Sequence, residues 1–149
     1  DSYGAEFELR ANVTDNFTIE GSVGVVRTEF DRFTDPISGA DLSGNRAPFV
    51  PDMDASIAAV YRLPSGFFGR VEVVHQGETF FSDLNNDDFR EGGYTLLNAS
   101  VGYESDGFLI SVYGQNLTEE VYYQNISPDL RAGNVGAPMV MGIRCRYSF

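Results

Sequence analysis

Apolar and polar residues alternate with a period of two through most of this 149-residue chain, and that pattern is the strongest restriction on its fold. From Ala5 the odd positions read Ala5, Phe7, Leu9, Ala11 and Val13, with Glu6, Glu8, Arg10 and Asn12 between them. Alternate residues of a strand point to opposite faces, so this run is a strand with one apolar and one charged face. The pattern recurs in Phe17, Ile19, Val23 and Val25 against Thr18, Glu20 and Ser22, and in Ala55, Ile57, Ala59, Tyr61 and Leu63 against Asp54, Ser56 and Arg62. It recurs again in Val71, Val73 and His75 against Arg70, Glu72 and Gln76, and in Leu97, Ala99, Val101 and Tyr103 against Asn98, Ser100 and Glu104. A shorter run sets Phe108, Ile110 and Val112 against Ser111 and Tyr113. The last sets Met139, Met141, Ile143, Cys145, Tyr147 and Phe149 against Arg144, Arg146 and Ser148. No helical period of comparable strength occurs. The chain reads as all-β, an antiparallel up-and-down meander of about seven strands.

The connections between these runs alternate in length. Thr14-Asp15-Asn16, Pro64-Ser65-Gly66 and Ser105-Asp106-Gly107 are tight and made of turn residues. The intervening connections, about 31–52, 81–93 and 117–137, are long and polar. A soluble sandwich has no reason to alternate so regularly, whereas a membrane barrel has short turns on one side and long loops on the other. Phe17, Phe67, Phe68 and Phe108 directly follow the tight turns, Tyr61 and Tyr103 precede them, and Tyr147 and Phe149 end the last run at the same level. Aromatic rings favour the membrane–water interface, so this clustering predicts a belt at one edge of a barrel.

The 22 acidic groups outnumber 10 basic ones, all arginine, for a net charge of -12. That balance opposes nucleic-acid binding, which needs excess cations to displace counterions. A single cysteine and a single histidine exclude an internal disulfide, a Cys-cluster metal site and a His/Cys zinc constellation. Asp83, Asn85, Asn86, Asp87 and Asp88 make an oxygen-rich loop of a kind that binds Ca²⁺, but without the spaced glycine and glutamate of an EF-hand, and it reads as a solvated loop. Asn12, Asn16, Asn98, Asn116 and Asn125 begin Asn-x-Ser/Thr sequons that read as chance. His75 falls on the apolar face as an interfacial residue, and Cys145 falls there as a small hydrophobe. No catalytic, metal or cofactor residue is assigned.

The stretches YTLLNASVGY at 94–103 and YGQNLTEEVYY at 113–123 resemble the end of a TonB-dependent receptor barrel. In that family an Asn-Leu-Thr-Asp/Glu-Glu-x-Tyr segment follows the penultimate strand, matched here by Asn116, Leu117, Thr118, Glu119, Glu120 and Tyr122. A Gly-x-Pro-Arg-like loop then leads into the last strand. Gly136-Ala137-Pro138 is similar, with Met139 where arginine is frequent. Arg46-Ala47-Pro48-Phe49-Val50-Pro51 is similar to a segment leading into an earlier strand. Tyr147 and the terminal Phe149 resemble the aromatic signal by which the barrel-assembly machinery recognises its substrates.

The resemblance implies that residues 1–149 are the C-terminal fragment of a transmembrane barrel of about 22 strands, with the plug domain and signal peptide absent from this stretch. It implies a place in the outer membrane of a Gram-negative bacterium, in contact with lipid, and coupling to the TonB complex through the plug. The implied function is active import of a scarce solute, a ferric siderophore or similar metal complex first. The loops carrying Asp35, Asp41, Asn45, Arg46, Arg90, Tyr122, Tyr123 and Arg131 would meet the ligand, but contacts vary between members and none is assigned to a residue. An isolated seven-strand piece has two open edges and is expected to aggregate or persist only in detergent. A passive porin-like barrel is the alternative. A β-sandwich hydrolase is a third reading; it would need His75, which the register turns toward lipid, or carboxylates such as Glu72 with Glu6 or Glu8.

Overall fold

The computed structural model describes residues 1–130 and 132–148. In chain order these form β1 (Ser2–Asn12), β2 (Phe17–Thr28), β3 (Met53–Arg62), β4 (Phe67–Gln76), β5 (Thr79–Phe80), β6 (Arg90–Glu91), β7 (Tyr94–Ser105), β8 (Phe108–Gln115), β9 (Tyr123–Ser127), β10 (Ala132–Val135) and β11 (Val140–Tyr147). Seven of them make one sheet in the order β1-β2-β3-β4-β7-β8-β11, each antiparallel to the next. The expected meander is present. Beyond it, β5 pairs with β6 and β9 pairs with β10, so two of the long connections carry small ribbons of their own.

The register puts the alternating apolar residues of every strand on one face; they are odd-numbered except in β8, where the turn shifts them to even positions. Phe17, Tyr61, Gly69, Val101, Val112 and Ile143 form one row across six strands, and Gly21, Ile57, Val73 and Leu97 form another. Most of these side chains are exposed, as an apolar sheet face is when nothing in the same chain covers it. A soluble monomer rarely leaves so large an apolar patch in water. At the tight-turn edge, Phe17 lies 6.5 Å from Tyr61 and Phe67 lies 5.0 Å from Tyr103, centroid to centroid. Such pairs add about 0.5–1.5 kcal/mol each beyond area burial. Phe68 departs from the expected belt. One residue beyond Phe67, it turns to the opposite face and lies under the Arg62 guanidinium, 5.2 Å from the ring centroid.

The turn between β7 and β8 shows why local sequence selects these hairpins. Asp106 (φ 44°) and Gly107 (φ 80°) both adopt left-handed backbone, the two-residue turn whose twist matches flanking strands. Among the described residues, the larger buried apolar side chains lie in the long loops: Leu42 is 1% exposed, and Phe81 is buried with its ring 5.8 Å from that of Phe49.

Candidate functional site

The even-numbered residues build a charged ladder across the other face. Arg10, Glu20, Ala58, Glu72 and Asn98 share one row over β1, β2, β3, β4 and β7. Arg70, one row nearer the tight turns, bridges this row, with Nη1 2.6 Å from Glu20 Oε2 and Nη2 2.7 Å from Glu72 Oε1. Arg10 reaches the other oxygen of Glu20 at 3.3 Å, and Asn98 Nδ2 donates to Glu72 at 3.4 Å. Ala58, 3% exposed, lies in the row between the two glutamates, and its small side chain leaves room for Arg70 to join them. Closer to the tight turns, Glu104 accepts from Arg146 at 3.0 Å and lies 3.8 Å from Arg62. Toward the long loops the face is acidic, with Glu6, Glu8 and Asp54. The face can therefore bind and orient charged solutes. His75 is on the apolar face, its Nδ1 2.9 Å from Thr95 Oγ1, and so is separated from the polar-face carboxylates by the sheet itself.

Two long loops are locked together at the other end. Arg46 Nη1 donates to Glu78 Oε1 at 2.8 Å and Nη2 to the Glu78 carbonyl at 3.0 Å, while Arg90 pairs with the second Glu78 oxygen. Asn85 grips the Arg46 backbone from both sides, its Oδ1 accepting from the Arg46 N–H at 2.6 Å and its Nδ2 donating to the Arg46 carbonyl at 3.0 Å. Asn86 caps the short 3₁₀ turn Asp87–Phe89, and Asp87 lies 3.3 Å from Arg90 Nε. These groups of the oxygen-rich loop are thus engaged in folding it. Among the described residues no three His, Cys, Asp or Glu side chains are placed to share a metal ion.

In the first long loop, Asp35 accepts the Ser38 hydroxyl and the N–H groups of Ile37 (3.0 Å) and Ser38 (3.2 Å). The Ser38 hydroxyl first, and then the Ile37 N–H, hold its carboxyl below the ordinary carboxylate pKa. A lowered folded-state pKa means that this support is complete above the ordinary value and is lost as pH falls through the lowered one. Exchange of the Ile37 and Ser38 amides, corrected for intrinsic rates, is expected to stay flat on acidification and to accelerate only below about pH 4. Acceleration beginning near neutrality would contradict this assignment.

The third long loop is closed at its base by Asn116, which is 3% exposed and takes a left-handed φ of 49°. Its Nδ2 donates to the carbonyls of Glu120 (2.9 Å) and Ala137 (3.1 Å), and its Oδ1 accepts from the Glu120 N–H at 2.9 Å. Its own N–H donates to Asn98 Oδ1 at 3.1 Å, joining the loop to the ladder. Leu117 packs over Gly114, and Thr118, Glu119 and Glu120 are exposed. Tyr122 is buried, stacked 3.9 Å from Tyr94, whose hydroxyl donates to Gln76. On the other side Tyr122 meets Gly136, where even a Cβ would fall 2.1 Å from the ring.

The family profile described as TonB dependent receptor-like, beta-barrel, matches residues 1–117. The chain belongs to this family. Among solved structures, the ferric yersiniabactin uptake receptor FyuA from Yersinia pestis superposes with a TM-score of 0.82 at 24% identity, over 99% of this chain and 23% of its own length. The siderophore receptor PiuA from Acinetobacter baumannii gives 0.81 at 15% identity, over 98% of this chain and 21% of its own. The ferric citrate transporter FecA gives 0.82 at 19% identity, over 99% and 24%. These likenesses show the fold, and the chain spans about a quarter or less of each of these receptors.

In this receptor barrel segment the structure draws Asn116, Leu117, Glu120 and Tyr122 into one closure at the base of the last loop. Tyr147 is at the far end of the sheet, opposite Phe108 in the register. Phe149 and Arg131 lie outside the described residues. Arg46, Asn45 and Tyr122, among the residues that the long loops carry, hold those loops together: Asn45 Nδ2 donates to the Asp83 carbonyl at 2.8 Å, and Tyr122 is buried. The Glu78 hub had no sequence signal, because it lies outside the alternating runs. Tyr113 was legible as a polar-face residue but not as the ring beneath Arg144, whose guanidinium lies 5.5 Å from its centroid.

Proposed function

We propose that this chain is part of an outer-membrane active transporter that imports a scarce solute, a ferric siderophore or similar metal complex, with energy delivered through TonB. The family membership over residues 1–117 carries this reading. The ferric and siderophore cargoes in the names of FyuA, PiuA and FecA support the choice of substrate class. In this reading residues 1–149 are the C-terminal part of the barrel domain, and a plug elsewhere in the polypeptide makes the TonB contact. The apolar face meets lipid and the charged ladder lines the hydrated lumen. Tyr147 and Phe149 form the signal for the assembly machinery, and the segment from Asn116 to Tyr122 closes the last outer loop. The protein binds and passes its cargo without covalent chemistry.

The test is uptake in the native host. Deleting the gene is expected to abolish accumulation of one radiolabelled ferric complex under iron limitation, and an uncoupler is expected to do the same in the wild type. Unchanged accumulation of every ferric complex tried would remove the assigned cargo. Uptake that the gene supports but the uncoupler leaves intact would identify a passive barrel instead.

A further inference from the structure

A second feature of the charged face is independent of the outer loops and of the cargo. Arg62, Phe68, Gly102, Ser111 and Arg144 occupy one row across β3, β4, β7, β8 and β11, with an arginine at each end and small residues in the middle. Both arginines lean over aromatic rings, Arg62 over Phe68 at 5.2 Å and Arg144 over Tyr113 at 5.5 Å. The rings themselves rest against glycines. A Cβ on Gly102 would meet Phe68 at 2.6 Å, and one on Gly142 would meet the Tyr113 hydroxyl at 2.5 Å. The two guanidiniums line the same hollow, about 310 Å³ in volume, whose floor includes Ser111.

The local charge is unbalanced. Arg62 and Arg146 share the single carboxylate of Glu104, and Arg144 has no carboxylate partner among the described residues. Arg70, at the rim, is already held by Glu20 and Glu72. Neighbouring strands are about 4.8 Å apart and residues about 3.4 Å along a strand, so a guanidinium over Phe68 on β4 and one over Tyr113 on β8, two strands across and two residues along, are separated by roughly 12 Å. A carboxylate pairs with guanidinium through parallel hydrogen bonds. The lining sets Arg62, Arg70 and Arg144 against Glu72 and Glu104, which leaves the two end guanidiniums as the open positions; two carboxylates a few carbons apart would reach both, whereas one would reach only one.

We propose that this hollow, on the tight-turn half of the charged face, is a binding site for a dianion with two separated carboxylates, gripped at one end by Arg62 and at the other by Arg144. The carboxylates come either from a free small dicarboxylate or from acidic side chains elsewhere in the same receptor. The test uses the full-length receptor in detergent, titrated calorimetrically with glutarate and with acetate. Glutarate is expected to bind more tightly than acetate. Arg62→Gln and Arg144→Gln should each weaken glutarate about ten- to a hundredfold, the effect of one charged hydrogen bond, while Arg27→Gln, at the opposite end of β2 and paired with Glu29, leaves it unchanged. If the receptor's own side chains fill the site, glutarate will not bind. The two Gln substitutions should then lower the unfolding temperature non-additively, because they share one bridging partner. Glutarate binding that ignores both substitutions, or matches acetate, overturns the proposal. So does absent binding with additive or null effects on unfolding.

Discussion

Replacing Ile57 with arginine is expected to destabilise the complete receptor in a lipid bilayer by about 2–4 kcal/mol, the cost of a cation near the midplane on a lipid-facing strand. Ile57 is 58% exposed in this chain and sits in the apolar row with Gly21, Val73 and Leu97. Along β3 it is four residues from Tyr61, which marks the aromatic edge. At about 3.4 Å per residue and the usual barrel tilt, that places it roughly 10 Å inside the apolar band, near its centre. Ser56, its neighbour on the charged face, gives the control: Ser56→Arg should shift stability by no more than about 0.5 kcal/mol. Folding into vesicles during a urea titration, followed by the gel shift between heated and unheated protein, measures both. A water-facing sheet would make both substitutions nearly neutral, since an exposed arginine costs little. Equal stability of the two variants would therefore remove the membrane assignment for this face.

The same contrast explains what the sequence made legible. The period of two needs no long-range information, so the seven strands and the facing of Glu20, Arg70, Glu72, Ile57 and Val101 could be read directly. The Asp106-Gly107 hairpin was equally local. Phe68 could not be read so simply, because two adjacent phenylalanines must point to opposite faces and composition alone does not say which belongs to the belt. The outer loops were least legible. Arg46 meets Glu78 across 32 positions and Asn85 across 39, and such contacts leave no period in the chain. Leu42 and Phe81 are each buried for the same reason, in segments that read only as polar connections. The motif around Asn116 was visible as a resemblance, but its geometric role needed coordinates, since Ala137 lies 21 positions away.

Asn116→Asp is expected to open that loop while leaving the sheet intact. The side-chain amide of Asn116 uses both Nδ2 hydrogens on backbone carbonyls and its Oδ1 on a backbone N–H. Aspartate keeps the acceptor but turns a carboxylate oxygen toward the carbonyls of Glu120 and Ala137, leaving both without a donor and in repulsion with it. Lost partners at a buried site cost about 1–3 kcal/mol each, so a local loss on the order of 3 kcal/mol follows. At about 1.4 kcal/mol per factor of ten, opening rises roughly a hundredfold. Asn116→Gly separates the backbone from the clamp: it accepts the positive φ freely but loses every side-chain bond, so an intermediate effect is expected. Limited proteolysis of residues 117–137 in the full-length receptor reads the opening, while the heat-modified gel shift reports whether the barrel persists. Cleavage as slow in the aspartate variant as in the wild type would mean that Asn116 does not hold the loop. Loss of the barrel itself would mean that its side-chain bonds to Glu120 and Ala137 support the sheet and not only the loop above it.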